Sequence, residues 1–325
     1  MAMSELRAAL VGAGRLGTLH AQKYAGIVGV KLACVVDLDP DRAQRLADQT
    51  GASALRDHRE LAGRADLATV AVPGVVHHAV ARDLMEQGLD VLVEKPMAAT
   101  LAEAHDLAAI AARTGRILQV GHLERFNPAI VHLRSILSAP RFIECHRLAP
   151  FTERGADVDV VLDLMVHDLD VVLSVTRAAP QSLEAVGVAV LTDQPDVANA
   201  RIRFADGLIA NLNASRVAPR RERKIRFFQP DAYISLDYEA RRIQVYRKTP
   251  PATGSTYPTI SAEQVDLGDG DPLLDEITAF VTSVRTRCAP LVGAEDGLRV
   301  MELSELIRNS ISRDGAPMAF ADRSL

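Results

Sequence analysis

Through the first third of the chain, apolar residues come in short runs separated by longer amphipathic stretches. The runs Leu6–Val11, Lys31–Val36, Leu67–Val72, Asp90–Val93 and Ile117–Val120 have the length of strands. Between them Leu16–Ile27, Asp41–Gln49, Val75–Gln87 and Leu101–Arg113 repeat apolar positions at helical spacing. Such alternation builds parallel βαβ units, so residues 1–121 predict a doubly wound α/β domain. Thr100 is placed to cap the last of these helices, and Gly88 and Gly115 to stop two of them. Beyond Gly121 the pattern changes to one helix followed by alternating strands. Ala200–Phe204 and Leu208–Asn213 flank Asp206-Gly207, a pair that favours a tight hairpin turn. Further strands are predicted at Ile225–Gln229, Tyr233–Asp237 and Arg242–Tyr246, a loop at Pro250–Pro258, and closing helices at Leu273–Arg285 and Ala294–Ile311. Residues 122–325 therefore predict an α+β domain built on a large, mainly antiparallel sheet.

Composition narrows the function. With 325 residues, 48% of them hydrophobic and 24% charged, the chain is long enough for two packed domains. A net charge of -5 argues against a general binder of nucleic acid or of membrane surfaces, and points to small-molecule chemistry. Cys34, Cys145 and Cys288 lie far apart, with no metal-site spacing, and suggest reduced thiols in a cytoplasmic protein without a bound metal. The apolar run at the N-terminus has strand length and enters a glycine turn, so neither a signal peptide nor a membrane span is expected.

That turn, Gly12-Ala13-Gly14-Arg15-Leu16-Gly17, has the G-x-G-x-x-G spacing directly after a strand and at the start of a helix. Gly12 permits the tight turn, Gly14 lets backbone approach a diphosphate, and Gly17 allows helix and strand to pack closely. The helix N-terminus would hold the diphosphate, with Arg15 and Leu16 beside it. Asp37 ends the second strand where an acid is expected for the ribose hydroxyls. Asp39 adds negative charge or caps the next helix, and no arginine follows the strand immediately, so NAD is expected in preference to NADP.

Other candidates follow later strands. Lys95, at the end of Val91–Pro96, faces the crevice outside the carboxyl ends of a parallel sheet. Pro73 and His77 lie beyond another strand end, where His77 either touches the cofactor or decorates a helix start. On a helix predicted at Asp157–Thr176, Leu162, Met165, Leu169, Val172 and Leu173 form one stripe, and Asp159, Asp163, His167 and Asp170 another face. Asp163 and His167, at i and i+4, suit proton transfer to or from an alcohol; a solvated face would look similar. Arg216, Arg220, Arg221, Arg223, Lys224 and Arg226 form a basic run that is either solvated or a diphosphate clamp.

Taken together, the glycine turn, the triplet Glu94-Lys95-Pro96 and Asp163-x-x-x-His167 resemble the Gfo/Idh/MocA family of oxidoreductases. The resemblance implies an N-terminal Rossmann domain followed by a domain with a large antiparallel sheet. It implies that Lys95 and His167 serve proton transfer at a sugar or cyclitol hydroxyl, that Asp163 positions substrate or histidine, and that Glu94 adjoins the cofactor. It further implies a cis Lys95–Pro96 bond and a homodimer or homotetramer formed through the open face of the second sheet. The strings HAQKYA, GHLERFNPA, VLDLMVHDLD and KIRFFQPDAYISLDY carry a narrower likeness, to the nucleotide-sugar branch of the family. That likeness implies NAD-dependent oxidation of the 3-hydroxyl of UDP-N-acetylglucosamine for lipid A, with inositol or another free sugar as the alternative substrate. Arg125, Asn127 and Arg216 are then candidate contacts to sugar or diphosphate. A non-catalytic NAD(H)-sensing binding protein is the alternative of another class.

Overall fold

The computed structural model describes residues 5–153, 158–254, 256–313 and 317–320. It divides into two compact units, residues 1–126 with 271–301, and residues 127–270 with 302–325. None of the described helices is long and apolar enough to cross a membrane.

In the first unit the elements run β1 (Leu6–Val11), α1 (Arg15–Tyr24), β2 (Val30–Val36), α2 (Pro40–Thr50), β3 (Ser53–Leu55), β4 (Leu67–Val70), α3 (His77–Glu86), β5 (Asp90–Glu94), α4 (Leu101–Thr114) and β6 (Leu118–Gly121). The strands form one parallel sheet in the order β3-β2-β1-β4-β5-β6. This is the doubly wound order, with its switch point between β1 and β4. Every residue of β4, β5 and β6 is buried, as a parallel strand covered on both faces requires. Alternate residues feed two cores. Ala9, Val11, Val70, Val91 and Val93 pack with Val80 and Leu84 of α3 and Leu107 and Ile110 of α4. Ala8, Leu10, Leu67 and Leu92 pack on the opposite face with Tyr24 of α1 and Leu46 of α2. Thr100 and Glu103 form a reciprocal capping box on α4, and Gly115 ends that helix in the left-handed region.

The second unit contains α5 (Pro128–Ile136), β7 (Phe142–Leu148), a turn of π-helix (Val161–Met165) running into α6 (Val166–Val175), β8 (Pro180–Val188), β9 (Val197–Phe204), β10 (Ile209–Ser215), β11 (Glu222–Gln229), β12 (Ala232–Asp237), β13 (Arg242–Thr249) and β14 (Thr259–Asp266). After these come α7 (Pro272–Thr286), α8 (Ala294–Ile311) and β15 (Met318–Ala319). Among the described residues the sheet has the order β14-β13-β12-β11-β7-β10-β9-β8-β15, antiparallel except for the parallel pair β7 and β10. Buried and half-buried residues alternate along β7 and β12, so one face carries the core and α6 lies against β7 and β10. Gly207 closes the β9–β10 hairpin at φ +86°, where Phe204 exchanges backbone hydrogen bonds with Gly207 and Leu208.

The sequence pattern divides the chain once, after residue 121, whereas the first unit also takes back 271–301. The reason is packing: Ile277, Phe280 and Val281 of α7 are fully or almost fully buried in the core beside Leu10 and Leu92. Burying each large side chain contributes about 1.5–3 kcal/mol. Five strands also escape the sequence pattern, of which β3 and β15 are only three and two residues long. In β7 the inward positions are Ile143, Cys145 and Arg147, so a charged residue interrupts the alternation. Along β14 almost every residue is exposed, which leaves no apolar period to detect. β8 carries only partial alternation.

Candidate active site

The cofactor cleft opens at the carboxyl ends of β1, β2, β4 and β5 and encloses about 720 Å³. It is lined by Gly12, Gly14, Leu16, Asp37, Pro73, His77, Glu94 and Lys95, while Arg15 is exposed outside the lining. The three glycines have separate physical grounds. Gly12 sits at φ +102°, and a Cβ there would lie 2.5 Å from the Ala71 carbonyl oxygen. On Gly17 a Cβ would meet the Gly12 carbonyl at 1.8 Å. A Cβ on Gly14 would meet nothing within 4 Å, so the protein itself does not demand this glycine. Open space there suits a ligand that approaches the backbone. Gly14 also caps α1 without a side chain, leaving the first-turn amides for an anion. Cleft, turn and helix end thus fit a dinucleotide.

Asp37 braces the turn: its carboxylate accepts hydrogen bonds from the backbone N–H of Ala13 at 2.7 Å and of Asp39 at 2.8 Å. Asp39 caps α2, accepting from the amides of Asp41 and Arg42. His77 is buried and bridges two strand-end loops, with Nδ1 2.7 Å from the Pro96 carbonyl and Nε2 2.8 Å from that of Val72. Both ring nitrogens are therefore committed to backbone, and His77 offers the cleft only the remainder of its ring. Glu94 is directed inward as well. One carboxylate oxygen is 2.7 Å from Nε2 of fully buried His20, and the other accepts from the Lys95 amide at 3.3 Å. Glu276 of α7 brings a second buried carboxylate to this cluster, with ligand atoms of the three residues within 4.8 Å of one another. His20 had no expected role; it lies on the inner face of α1, and only the fold brings it to Glu94.

Lys95 stands half-buried after β5, and the Lys95–Pro96 bond is cis. Nearby His122 is held neutral: burial, then the charges of Arg125 and Lys95, push its pKa down to about 3. Asp163 and His167 both lie half-buried in the second unit, on the π-helical turn and the first turn of α6. That wider turn, rare and frequent at functional sites, changes the face expected of a continuous α-helix. Asp157 lies outside the described residues. Asp159 is buried, caps Val161 and Leu162, and pairs with Arg308 at 2.6 Å. Asp170 is also buried, so the expected four-residue face separates into an inner pair and the accessible pair Asp163 and His167.

Residues 6–122 match the family described as "Oxidoreductase family, NAD-binding Rossmann fold", and residues 129–235 match the GFO/IDH/MocA C-terminal domain. The UDP-N-acetylglucosamine 3-dehydrogenase of Acidithiobacillus ferrooxidans is 36% identical over 95% of this chain and 98% of its own. Its solved structure superposes with a TM-score of 0.88, at 35% identity over 96% of this chain and 99% of that one. An inositol 2-dehydrogenase of Mycolicibacterium smegmatis is 33% identical, over 52% of each chain. This chain belongs to the Gfo/Idh/MocA family. It is an NAD-dependent oxidoreductase acting on a CH–OH group.

Within this Gfo/Idh/MocA enzyme the residues expected to hold substrate all have structural partners. Arg125 is 2% exposed and reaches the Leu291 carbonyl and Asp296, each at 3.4 Å. Asn127 caps α5, accepting from the Ala129 amide at 3.0 Å. Arg216 is buried against Asp196 at 2.7 Å and donates to the Val158 carbonyl and the Thr192 hydroxyl. Much of the basic run resolves into cross-strand pairs, Arg226 with Glu144 at 2.8 Å and Lys224 with Asp237 at 3.4 Å. Local sequence showed these charges without the pairing that sets the acids opposite them: Asp237 stands on the neighbouring β12, and Glu144 arrives from β7, 82 residues away.

Proposed function

We propose that this enzyme oxidises the 3-hydroxyl of UDP-N-acetylglucosamine to a ketone, supplying the amino-sugar branch of lipid A synthesis in the cytoplasm. The observation that carries the reading is the extent of likeness. The relative with this activity in its name matches almost end to end, while the inositol 2-dehydrogenase matches over about half of each chain.

Gly12, Gly14 and the first turn of α1 hold the diphosphate of the cofactor, and Asp37 receives its ribose hydroxyls. Bound NAD supplies the hydride acceptor. His167 takes the hydroxyl proton, and Asp163 fixes the imidazole tautomer and raises its basicity. Lys95 stabilises the negative charge that develops on the oxygen. Glu94, gripped by His20, holds the backbone from which Lys95 projects. Homo-oligomerisation occurs through the second sheet; support comes from an aromatic row across four strands, Phe142, Phe228, Tyr233 and Tyr246, with ring centroids 5.0–5.5 Å apart.

The substrate is tested by incubating enzyme and NAD with UDP-N-acetylglucosamine, other UDP-sugars, free sugars and myo-inositol while following absorbance of the reduced cofactor. The expected signal is with UDP-N-acetylglucosamine. A signal with inositol or a free sugar, and none with the UDP-sugar, overturns the reading.

A further inference from the structure

The adenosine end of the cleft differs from what the sequence around β2 suggests. No arginine follows Asp37 directly, yet Arg42 and Arg56 line the same cleft as Asp37. Strand register explains how Arg56 arrives. β2 and β3 are parallel neighbours with Val36 opposite Leu55, and the Asp37 amide donates to the Leu55 carbonyl at 3.2 Å. The next residue on each strand is Asp37 and Arg56, so the two leave adjacent strand ends, about 4.8 Å apart in the sheet. Arg42 comes from the first turn of α2, where it pairs with Asp39 at 3.1 Å. Leu38, 89% exposed, lines the cleft beside them and offers an apolar surface to a base.

Two guanidinium groups and one carboxylate therefore share this end of the cleft. Asp39 already offsets Arg42, while Arg56 is exposed. A ribose hydroxyl suits Asp37, which can accept its hydrogen bond. A phosphomonoester at the same position meets repulsion from Asp37 and attraction from both arginines, whose planar donors match phosphate geometry. We propose that Arg42 and Arg56 form a latent subsite for the 2′-phosphate of NADP, and that Asp37 alone holds the cleft to NAD. The inference concerns the cofactor and is independent of which sugar is oxidised.

Calorimetric titration of the full chain with ADP and with adenosine 2′,5′-bisphosphate tests this without any turnover. Wild-type protein is expected to bind ADP more tightly. Asp37→Ser is expected to shift the affinity ratio toward the bisphosphate by about 100-fold, the scale of exchanging charge repulsion for a charge-assisted contact. Adding Arg56→Ala or Arg42→Ala to Asp37→Ser takes back about tenfold of that gain for each arginine, with ADP affinity changed less than about threefold. Because Asp37 also braces the Ala13 amide, Asp37→Asn provides a second variant that keeps an acceptor there; the same shift in direction is expected. The proposal is overturned if the ratio does not move toward the bisphosphate in either variant. It is also overturned if the gain survives removal of both arginines.

Discussion

Around the glycine turn of the first unit the candidate residues belong to the strand-end turns that create them, whereas in the second unit the polar residues that stand out in sequence are drawn into pairs with residues of other strands and helices. Gly12, Gly14 and Asp37 sit at ends of adjacent parallel strands, where backbone geometry alone brings them to one cleft. Arg216 instead ends in a buried pair with Asp196, and Asp159 pairs with the half-exposed Arg308. A parallel sheet assembled from βαβ units collects its strand ends on one edge, so local motifs predict their own neighbours. In an antiparallel sheet of mixed connectivity, a charge's partner depends on register, which a local stretch does not contain.

The sharpest way to break this contrast is through turnover. Lys95→Ala and His167→Ala are each expected to lower kcat about 10²–10⁴-fold, the usual contribution of positioned proton-transfer groups, while calorimetric NAD affinity stays largely unchanged. Near wild-type turnover in either variant removes that residue from the mechanism.

The next largest effect is on stability and separates the units. Asp196→Ala strips a buried arginine of its partner and is expected to cost about 3–5 kcal/mol in denaturant unfolding. Arg216→Ala should behave alike, because the residue anchors structure. A variant that keeps full stability but weakens UDP-sugar binding would restore Arg216 as a substrate contact.

Smaller effects sharpen the reading of the glycine turn. Gly14→Ala, with open space around its Cβ, is expected to leave thermal unfolding within about 1 kcal/mol of wild type while weakening NAD binding. Gly17→Ala meets backbone and should lose stability as well. Equal thermal stability of the two would show that the turn relaxes freely.

The remaining expected effects are in pH dependence, and they have the same sign in both units. Burial alone would raise the Asp196 pKa, but the amides of Thr192, Leu191 and Val190 and the Arg216 guanidinium hold it well below the usual carboxylate range. The unfolded chain therefore binds the proton first, and stability present above about pH 4 is lost as pH falls toward the depressed pKa. His122, with its pKa pushed down to about 3, is neutral when folded and takes up a proton on unfolding. Its contribution is complete above about pH 6.5 and declines by about 1.4 kcal/mol per unit below that. Asp196→Asn should flatten the more acidic part of the stability profile, and His122→Gln the part between pH 6.5 and 4. An unchanged profile in either variant contradicts the assignment.

Legibility followed the range of the interactions involved. The glycine spacing, the Thr100 cap and the Asp206-Gly207 hairpin could be read because each acts within a few residues. The return of α7 could be read only as a helix. Its Ile277 and Phe280 are an apolar pair whose destination, a sheet made some two hundred residues earlier, leaves no trace in the helix itself. The π-helical turn at Val161–Met165 was equally invisible, since helical periodicity is nearly the same on either side of one wide turn.

By itself, then, the sequence determined two fold classes, the dinucleotide turn and the residue types available for proton transfer, because hydrophobic period, glycine sterics and strand-end motifs are local properties. Tertiary structure decided which charges remain for chemistry and which are neutralised inside. It tied Glu94 to His20, Arg216 to Asp196 and Arg125 to Asp296, and it brought Arg56 beside Asp37 through strand register. The physical reason is that burying a charge is costly unless it is paired, and pairing is settled by packing across the whole chain.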